Sequence, residues 1–262
     1  MAERRAALVT GGSRGIGRAT ALALAEAGLD VAVTYKKNEA AARDAAAAIE
    51  KRGVTALVLA VDLEDRAGVA AALQRVEADF GRLDVLVANA AATAFKPLLD
   101  VGEHHLSRTM TTSLQSFIQL VQGCVPLMAG RPGSVVAVSG WDSYRSLTRH
   151  GLLGAAKAGL EALVRSFAVE LASRDIAVNA VCPGPVDTDS ARYYAGATWP
   201  QMEANWVQRT PAGRLGRPED IATIIRFLSS PDSRWLRGQV LYADGGLSLM
   251  TEPAAWFEGG VA

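Results

Sequence analysis

The sequence predicts a single α/β domain built on a doubly wound parallel sheet, with helices on both faces. Three observations carry that expectation. Short apolar runs rich in Val and Leu alternate with longer Ala-rich stretches of helical periodicity. The apolar runs are uninterrupted, as strands buried on both faces are. No linker or low-complexity stretch divides the 262 residues, a length one domain can fill. Strands are expected at 6–10, 30–34, 56–61, 85–88, 134–139, 177–182 and 239–242. Helices are expected at 15–27, 39–52, 66–80, 106–128, 155–173 and 219–228. Strand–helix alternation from the first element requires right-handed crossovers and hence a parallel sheet.

Composition narrows the function. Lys plus Arg and Asp plus Glu are both 27, and no basic run stands out, which argues against nucleic acid. Cys124 and Cys182 lie far apart without a CxxC spacing and read as small buried hydrophobes of a reducing compartment, with no disulfide. No metal-ligand spacing surrounds the histidines, so no metal is expected. The first residues are too few and too charged for a signal peptide, and no apolar run approaches the roughly 18 residues of a membrane helix. A cytoplasmic protein without a membrane partner is expected.

The most specific local signal is the run Thr10-Gly11-Gly12-Ser13-Arg14-Gly15-Ile16-Gly17 between the first strand and the first helix. Glycines there permit a turn closed to other residues and let a pyrophosphate approach the helix N-terminus. Strand, turn and helix together predict a Rossmann-like dinucleotide site.

This spacing resembles the short-chain dehydrogenase/reductase family, and further motifs extend the resemblance over nearly the whole chain. Asp62-Leu63 resembles the family's adenine-contacting pair, and Asn89-Ala90-Ala91 its Asn-Ala-Gly motif. The stretch Pro183-Gly184-Pro185-Val186-Asp187-Thr188 is similar to the segment whose threonine contacts the nicotinamide amide, and Asp244-Gly245-Gly246 to the C-terminal turn. The resemblance implies a bound nicotinamide cofactor, with Gly11, Ser13, Arg14, Gly15, Ile16, Gly17, Asn89, Lys157, Pro183, Gly184, Val186 and Thr188 around it. The second strand ends in Tyr35-Lys36-Lys37 without the acid that usually holds a ribose 2′-hydroxyl. With Arg14 in the glycine turn, this favours a 2′-phosphate and so NADPH.

The catalytic positions depart from the family. Its working set is a serine, a tyrosine, a lysine and an asparagine, and the tyrosine gives the proton. Lys157 keeps the lysine position, but Leu153 stands at the common tyrosine place and Ser113 at the asparagine place. In the register set by Lys157, Gly140 rather than Ser139 falls at the serine place, and Ser139 is its neighbouring candidate. A narrower resemblance, carried by Ser143-Tyr144-Arg145 and Thr210-Pro211-Ala212-Gly213-Arg214, is to enoyl-acyl-carrier-protein reductases of the third type. Their tyrosine lies seven residues before the lysine, where this chain has His150. An imidazole, with an ordinary pKa near 6.5, can donate a proton at neutral pH. The exchange still moves the donor by about an ångström or more. A loop histidine without chemistry is the competing reading. Tyr144, and Tyr193 or Tyr194 from the segment 187–217, are further candidates, whereas Asp142 reads as a turn residue and His104 and His105 as a solvated helix start.

Two functions remain open on the sequence. One is an NADPH-dependent reductase of an activated C=C or C=O in an apolar or polyketide-like substrate, free or linked to CoA or a carrier protein, with a non-standard proton donor. The other is an NADP(H)-binding protein without redox turnover: a scaffold, a regulatory subunit, or a cyclase or isomerase. The segment 187–217, with Tyr193, Tyr194, Trp199 and Trp206, reads as an irregular substrate lid or a packed surface excursion. The resemblance implies a homodimer or homotetramer. Leu160, Leu163, Val164 and Phe167 fit either an interface or a core, and the tail 252–262 carries Trp256 and Phe257.

Overall fold

A computed structural model of the chain describes residues 4–250, so the tail with Trp256 and Phe257 lies outside the described residues. Its first half alternates β1 (Ala6–Val9), α1 (Gly15–Glu26), β2 (Asp30–Tyr35), α2 (Glu39–Glu50), β3 (Ala56–Ala60), α3 (Arg66–Phe80) and β4 (Val85–Ala88). Then follow α4 (Glu103–Met110), α5 (Ser116–Cys124), β5 (Gly133–Val138), α6 (Gly151–Glu170) and β6 (Ile176–Pro183). The chain closes with α7 (Asp189–Ala195), α8 (Trp199–Arg209), α9 (Pro218–Leu228) and β7 (Val240–Ala243). The strands form one seven-stranded sheet in the order β3-β2-β1-β4-β5-β6-β7, every pair parallel. This is the doubly wound architecture that the alternation predicts.

Both sheet faces are covered, which is why the strands carry no polar alternation. On one face Val69 and Leu73 of α3, Phe117 and Leu120 of α5 and Leu160 and Val164 of α6 pack over the sheet. On the other, Leu24 of α1, Ile49 of α2 and Ile221, Ile225 and Leu228 of α9 do so. Leu160 and Val164 are therefore core, with Leu163 and Phe167 packed at its margin. At the bottom of the sheet the buried Asp84 accepts from the Ala6 backbone N–H at 2.8 Å and from Arg82 Nη2 at 2.6 Å. It thereby ties the start of β4 to β1.

Three local expectations need correction. Residues 106–128 are not one helix: a π-helical turn, Thr111–Gln115, separates α4 from α5, and the run begins at Glu103. The Thr-Thr-Ser sequence at 111–113 weakens the regular ladder, and the Ser116 hydroxyl donates to the Thr112 carbonyl at 2.5 Å. α6 starts at Gly151, four residues earlier than its apolar pattern suggests, because Gly151 and Gly154 are poor helix formers that tertiary contacts hold in place. The 187–217 segment is not irregular either. It contains α7 and α8, which are short and carry too few apolar residues for a helical period to stand out.

Candidate active site

The sheet order reverses between β1 and β4, and the loops that follow both strands meet at their C-terminal ends, where ligands bind in open α/β sheets. The Asn89 side chain donates to the carbonyls of Thr10 (3.0 Å) and Gly11 (3.3 Å), and the Thr10 hydroxyl accepts from the Asn89 N–H at 2.9 Å. Asn89 is thus the clasp of the glycine turn. Gly11 and Gly15 have φ of 63° and 52°. A methyl group on Gly17 would overlap the Gly11 carbonyl and lie 2.6 Å from Asn89 Nδ2.

The turn fits a dinucleotide. The α1 N-cap, Arg14, makes no side-chain capping bond, and the first turn of α1 holds no acid. Its N–H groups and positive dipole end are left for an anion such as a pyrophosphate. Thr188 Cγ2 stands 3.5 Å from the Cβ direction of Gly15, so the Val186–Thr188 stretch after β6 closes over the turn. The Thr188 hydroxyl accepts from the Ala191 N–H at 3.1 Å and caps α7. Pro183 pairs with Ala243 of β7, and Gly184 is held against Asp244, whose Cβ is 2.7 Å from the Cβ direction of Gly184.

At the adenosine end the charge balance differs from expectation. Lys36 is not an unengaged cation: its Nζ lies 2.8 Å from both Asp62 Oδ2 and Glu64 Oε1. Hydrogen bonds to these two carboxylates raise the Lys36 pKa. The acids missing from the end of β2 arrive from the loop after β3, which a strand-by-strand reading does not bring there. Arg14 is exposed, with no ion pair among the described residues. Tyr35, Ser13 and Ile16 are half-buried around the same turn, and Leu63 is buried behind it.

Lys157 is buried, and its Nζ donates to the Val138 carbonyl at 2.6 Å. Burial lowers its pKa to about 8, against the pull of Asp142, Cys182 and Glu161. A cavity of about 10 Å³, room for one water, lies between Lys157, Thr10, Thr112 and Ser113. The Thr112 and Ser113 hydroxyls are buried without a protein partner. The π-helical turn places both residues in the lining of the cavity that Lys157 also lines.

The remaining catalytic candidates separate. Ser139 is buried, and its hydroxyl donates to Glu161 Oε1 at 2.5 Å, which ties it to α6. The Tyr144 ring packs edge-on to Tyr242 of β7 at 4.8 Å and faces Trp141 at 6.5 Å, on the β7 side of the loop. Tyr193 is largely exposed and touches Tyr194 at 5.5 Å. His150 is set differently. Its ring lies 4.4 Å from Phe95, which in turn lies 4.8 Å from Tyr194 of α7, and its Nδ1 is 3.2 Å from Asp142 Oδ2. Trp206 of α8 packs on Trp141 at 5.3 Å. Trp206 thus seats α8 on the 141–150 loop, while α7 reaches His150 only through Phe95. Asp142 and Phe95 were not legible as site residues, since the Trp141–Ser143 turn and left-handed Arg149 break any regular spacing from Asp142 to His150, and Phe95 is distant in sequence. Cys124 and Cys182 are both buried free thiols, and burial pushes Cys182 up to about 12.

A family model described as enoyl-(acyl carrier protein) reductase matches residues 11–248, and the chain belongs to this branch of the short-chain dehydrogenase/reductase family. It is 40% identical to 1-cyclohexenylcarbonyl-CoA reductase of Streptomyces collinus over 250 residues, 95% of this chain and 89% of that protein. It is 34% identical to 3-oxoacyl-acyl-carrier-protein reductase FabG of Chlamydia muridarum, over 93% of this chain and 97% of that one. Among solved structures, acetoin dehydrogenase of Enterobacter cloacae superposes with a TM-score of 0.86 at 32% identity, covering 95% of this chain and 97% of that one. The chain is thus an oxidoreductase of a nicotinamide-dependent family. Among the described residues no helix is long and apolar enough to cross a membrane.

Proposed function

We propose that the protein is an NADPH-dependent reductase of a conjugated enoyl thioester, with His150 as proton donor. A bound nicotinamide cofactor supplies the hydride. The chain holds it by the uncapped α1 N-terminus, the Asn89-clasped turn, Lys157 and the Val186–Thr188 stretch. The chain's other task is the proton. Hydride addition to the β-carbon of an enoyl thioester moves the C=C electron pair onto the thioester oxygen, and the resulting enolate needs less acid assistance than an isolated ketone. This suits a site with Leu153 at the tyrosine place. The observation that carries the reading is His150 itself: an imidazole one-third exposed, fixed between Phe95 and Asp142 at the same sheet edge as the cofactor turn. The CoA- and carrier-linked reductases among its relatives support the substrate class, and the lid aromatics Tyr194 and Trp206 suit a flat or bulky acyl group.

Consumption of NADPH against a cyclic enoyl-CoA such as 1-cyclohexenylcarbonyl-CoA, a linear enoyl-CoA, a quinone and an isolated ketone tests it. Turnover confined to the enoyl thioesters is expected. Tight NADPH binding with no turnover on any of them would favour the non-redox reading. For the cofactor, Arg14→Ala is expected to weaken NADPH binding by about 10–100-fold, the worth of a lost charged hydrogen bond, and to leave NADH binding unchanged. Calorimetry with both nucleotides decides. Equal losses, or tighter binding of NADH by the unaltered protein, would overturn the 2′-phosphate assignment, for which the Asp62–Lys36–Glu64 cluster is the competing feature.

A further inference from the structure

We propose that Asp142 is the positioning residue of the proton donor, and that Gly140 and Gly154 are required because they make room for it. The inference rests on the reading of His150 as donor. The Asp142 side chain is nearly buried, 7% exposed, and its two oxygens face different partners. Oδ2 is 3.2 Å from His150 Nδ1. Oδ1 lies 2.7 Å from the point that a Cβ on Gly140 would occupy, and Lys157 Cγ is 3.7 Å from that same point. The carboxylate therefore fills the space beside Lys157 where a serine side chain at position 140 would begin. Position 140 cannot hold a side chain and keep Asp142 where it is.

Gly154 serves the same turn from the other side. A Cβ there would lie 2.5 Å from the Asp142 backbone carbonyl, so only glycine lets the first turn of α6 approach the Trp141–Ser143 turn this closely. Arg149, with φ of 67°, takes up the left-handed conformation that turns the chain into α6. His150 then sits at the N-cap of α6 without capping it, its ring turned to Asp142 instead.

The chemistry follows from the donor inventory. A carboxylate only accepts, so Nδ1 of His150 carries a hydrogen toward Asp142, and Nε2 is the nitrogen directed away from the pair. In the imidazolium form Nε2–H gives its proton to the enolate oxygen. The neutral ring keeps Nδ1–H on Asp142, and Nε2 regains a proton from solvent. Asp142 fixes ring plane and tautomer and supports the transient cation, a part that a serine hydroxyl at position 140 could not play. Missing serine, missing tyrosine and paired glycines are then one coordinated exchange: a carboxylate–imidazole pair in place of a hydroxyl–phenol pair.

The test compares Asp142→Asn, Gly140→Ser, the double variant and His150→Gln in the full chain loaded with NADPH. His150→Gln is expected to lower kcat on an enoyl-CoA by about 100-fold or more, with KM little changed. Asp142→Asn and Gly140→Ser are each expected to lower it by about 10–100-fold, and the double variant no further than the worse single one, because both remove the same contact. Nitrogen chemical shifts of the His150 ring provide a readout that needs no turnover. The unaltered protein should show one tautomer, protonated at Nδ1, and Asp142→Asn and Gly140→Ser a mixture. An unchanged tautomer in Asp142→Asn, or a Gly140→Ser variant as fast as the unaltered protein, overturns the inference while leaving the reductase reading in place. Absence of turnover in the unaltered protein, with the tautomer still dependent on Asp142, overturns the reductase reading and leaves the pair standing.

Discussion

Lys157→Met is expected to lower turnover by about 10²–10⁴-fold and, in the apo protein, to abolish a rise of stability with pH. Both effects trace to one buried ammonium. Lys157 has an Nζ bond to the Val138 carbonyl and lies near the carboxylates of Asp142 and Glu161 and the thiol of Cys182, yet burial outweighs them and lowers its pKa to about 8. Below that pH the folded chain carries a charge that water would solvate better. Above it the folded side chain is neutral, while the unfolded lysine keeps its proton to about pH 10.4. The unfolded state then binds more protons, so the unfolding free energy rises with pH across this window. The stability difference, unaltered protein minus Lys157→Met, should grow by about 1–3 kcal/mol between about pH 8 and 10.5. Chemical denaturation of the two proteins at several pH values measures it. A flat difference would mean that the ammonium is not dehydrated. If Lys157 holds the cofactor as proposed, the same titration removes its positive charge, and nucleotide binding is expected to weaken as pH rises through about 8.

Gly17→Ala should all but eliminate nucleotide binding, with a loss of about 100-fold or more in NADPH affinity. The added methyl would overlap the Gly11 carbonyl and crowd Asn89 Nδ2. To relieve that contact Asn89 must release the Thr10 and Gly11 carbonyls, and with them the turn that presents the α1 N-terminus. Overpacking of this kind costs about 1–3 kcal/mol of stability. Calorimetric titration and a thermal melt of the apo variant separate the two consequences. A variant that binds NADPH normally would show that the turn is plastic and that the anion-ready N-terminus does not anchor the cofactor.

Much of this site was legible before the structure, and the reasons are local. A glycine turn needs its glycines within a few residues of one another, so the spacing 11–17 is written contiguously. Strands buried on both faces must be apolar, as β1, β2, β4, β5 and β6 largely are, and all seven expected runs appear in the sheet, with ends displaced by a residue or so. The π-helical turn at 111–115 was not legible, because a single widened turn leaves the apolar periodicity almost intact. Nor was the neutralisation of Lys36, since Asp62 and Glu64 reach it across adjacent strands. Asp142 was the largest omission. Nothing in an eight-residue separation places a carboxylate on an imidazole when a left-handed residue and a helix start intervene; the only trace is the pair of glycines at 140 and 154.

The sequence by itself determined the sheet, the dinucleotide turn and the unusual lysine without its tyrosine, because each is a property of residue type at short range. Only the tertiary structure decided what surrounds the positions that the family resemblance marks as catalytic. It set Asp142 beside Gly140 and against His150, bonded Ser139 to Glu161, and folded the aromatic segment into two helices, of which α8 packs on that loop. Those outcomes depend on which backbones can approach within contact distance, a quantity fixed by the packing of α6 on the β5 loop and not by any spacing along the chain.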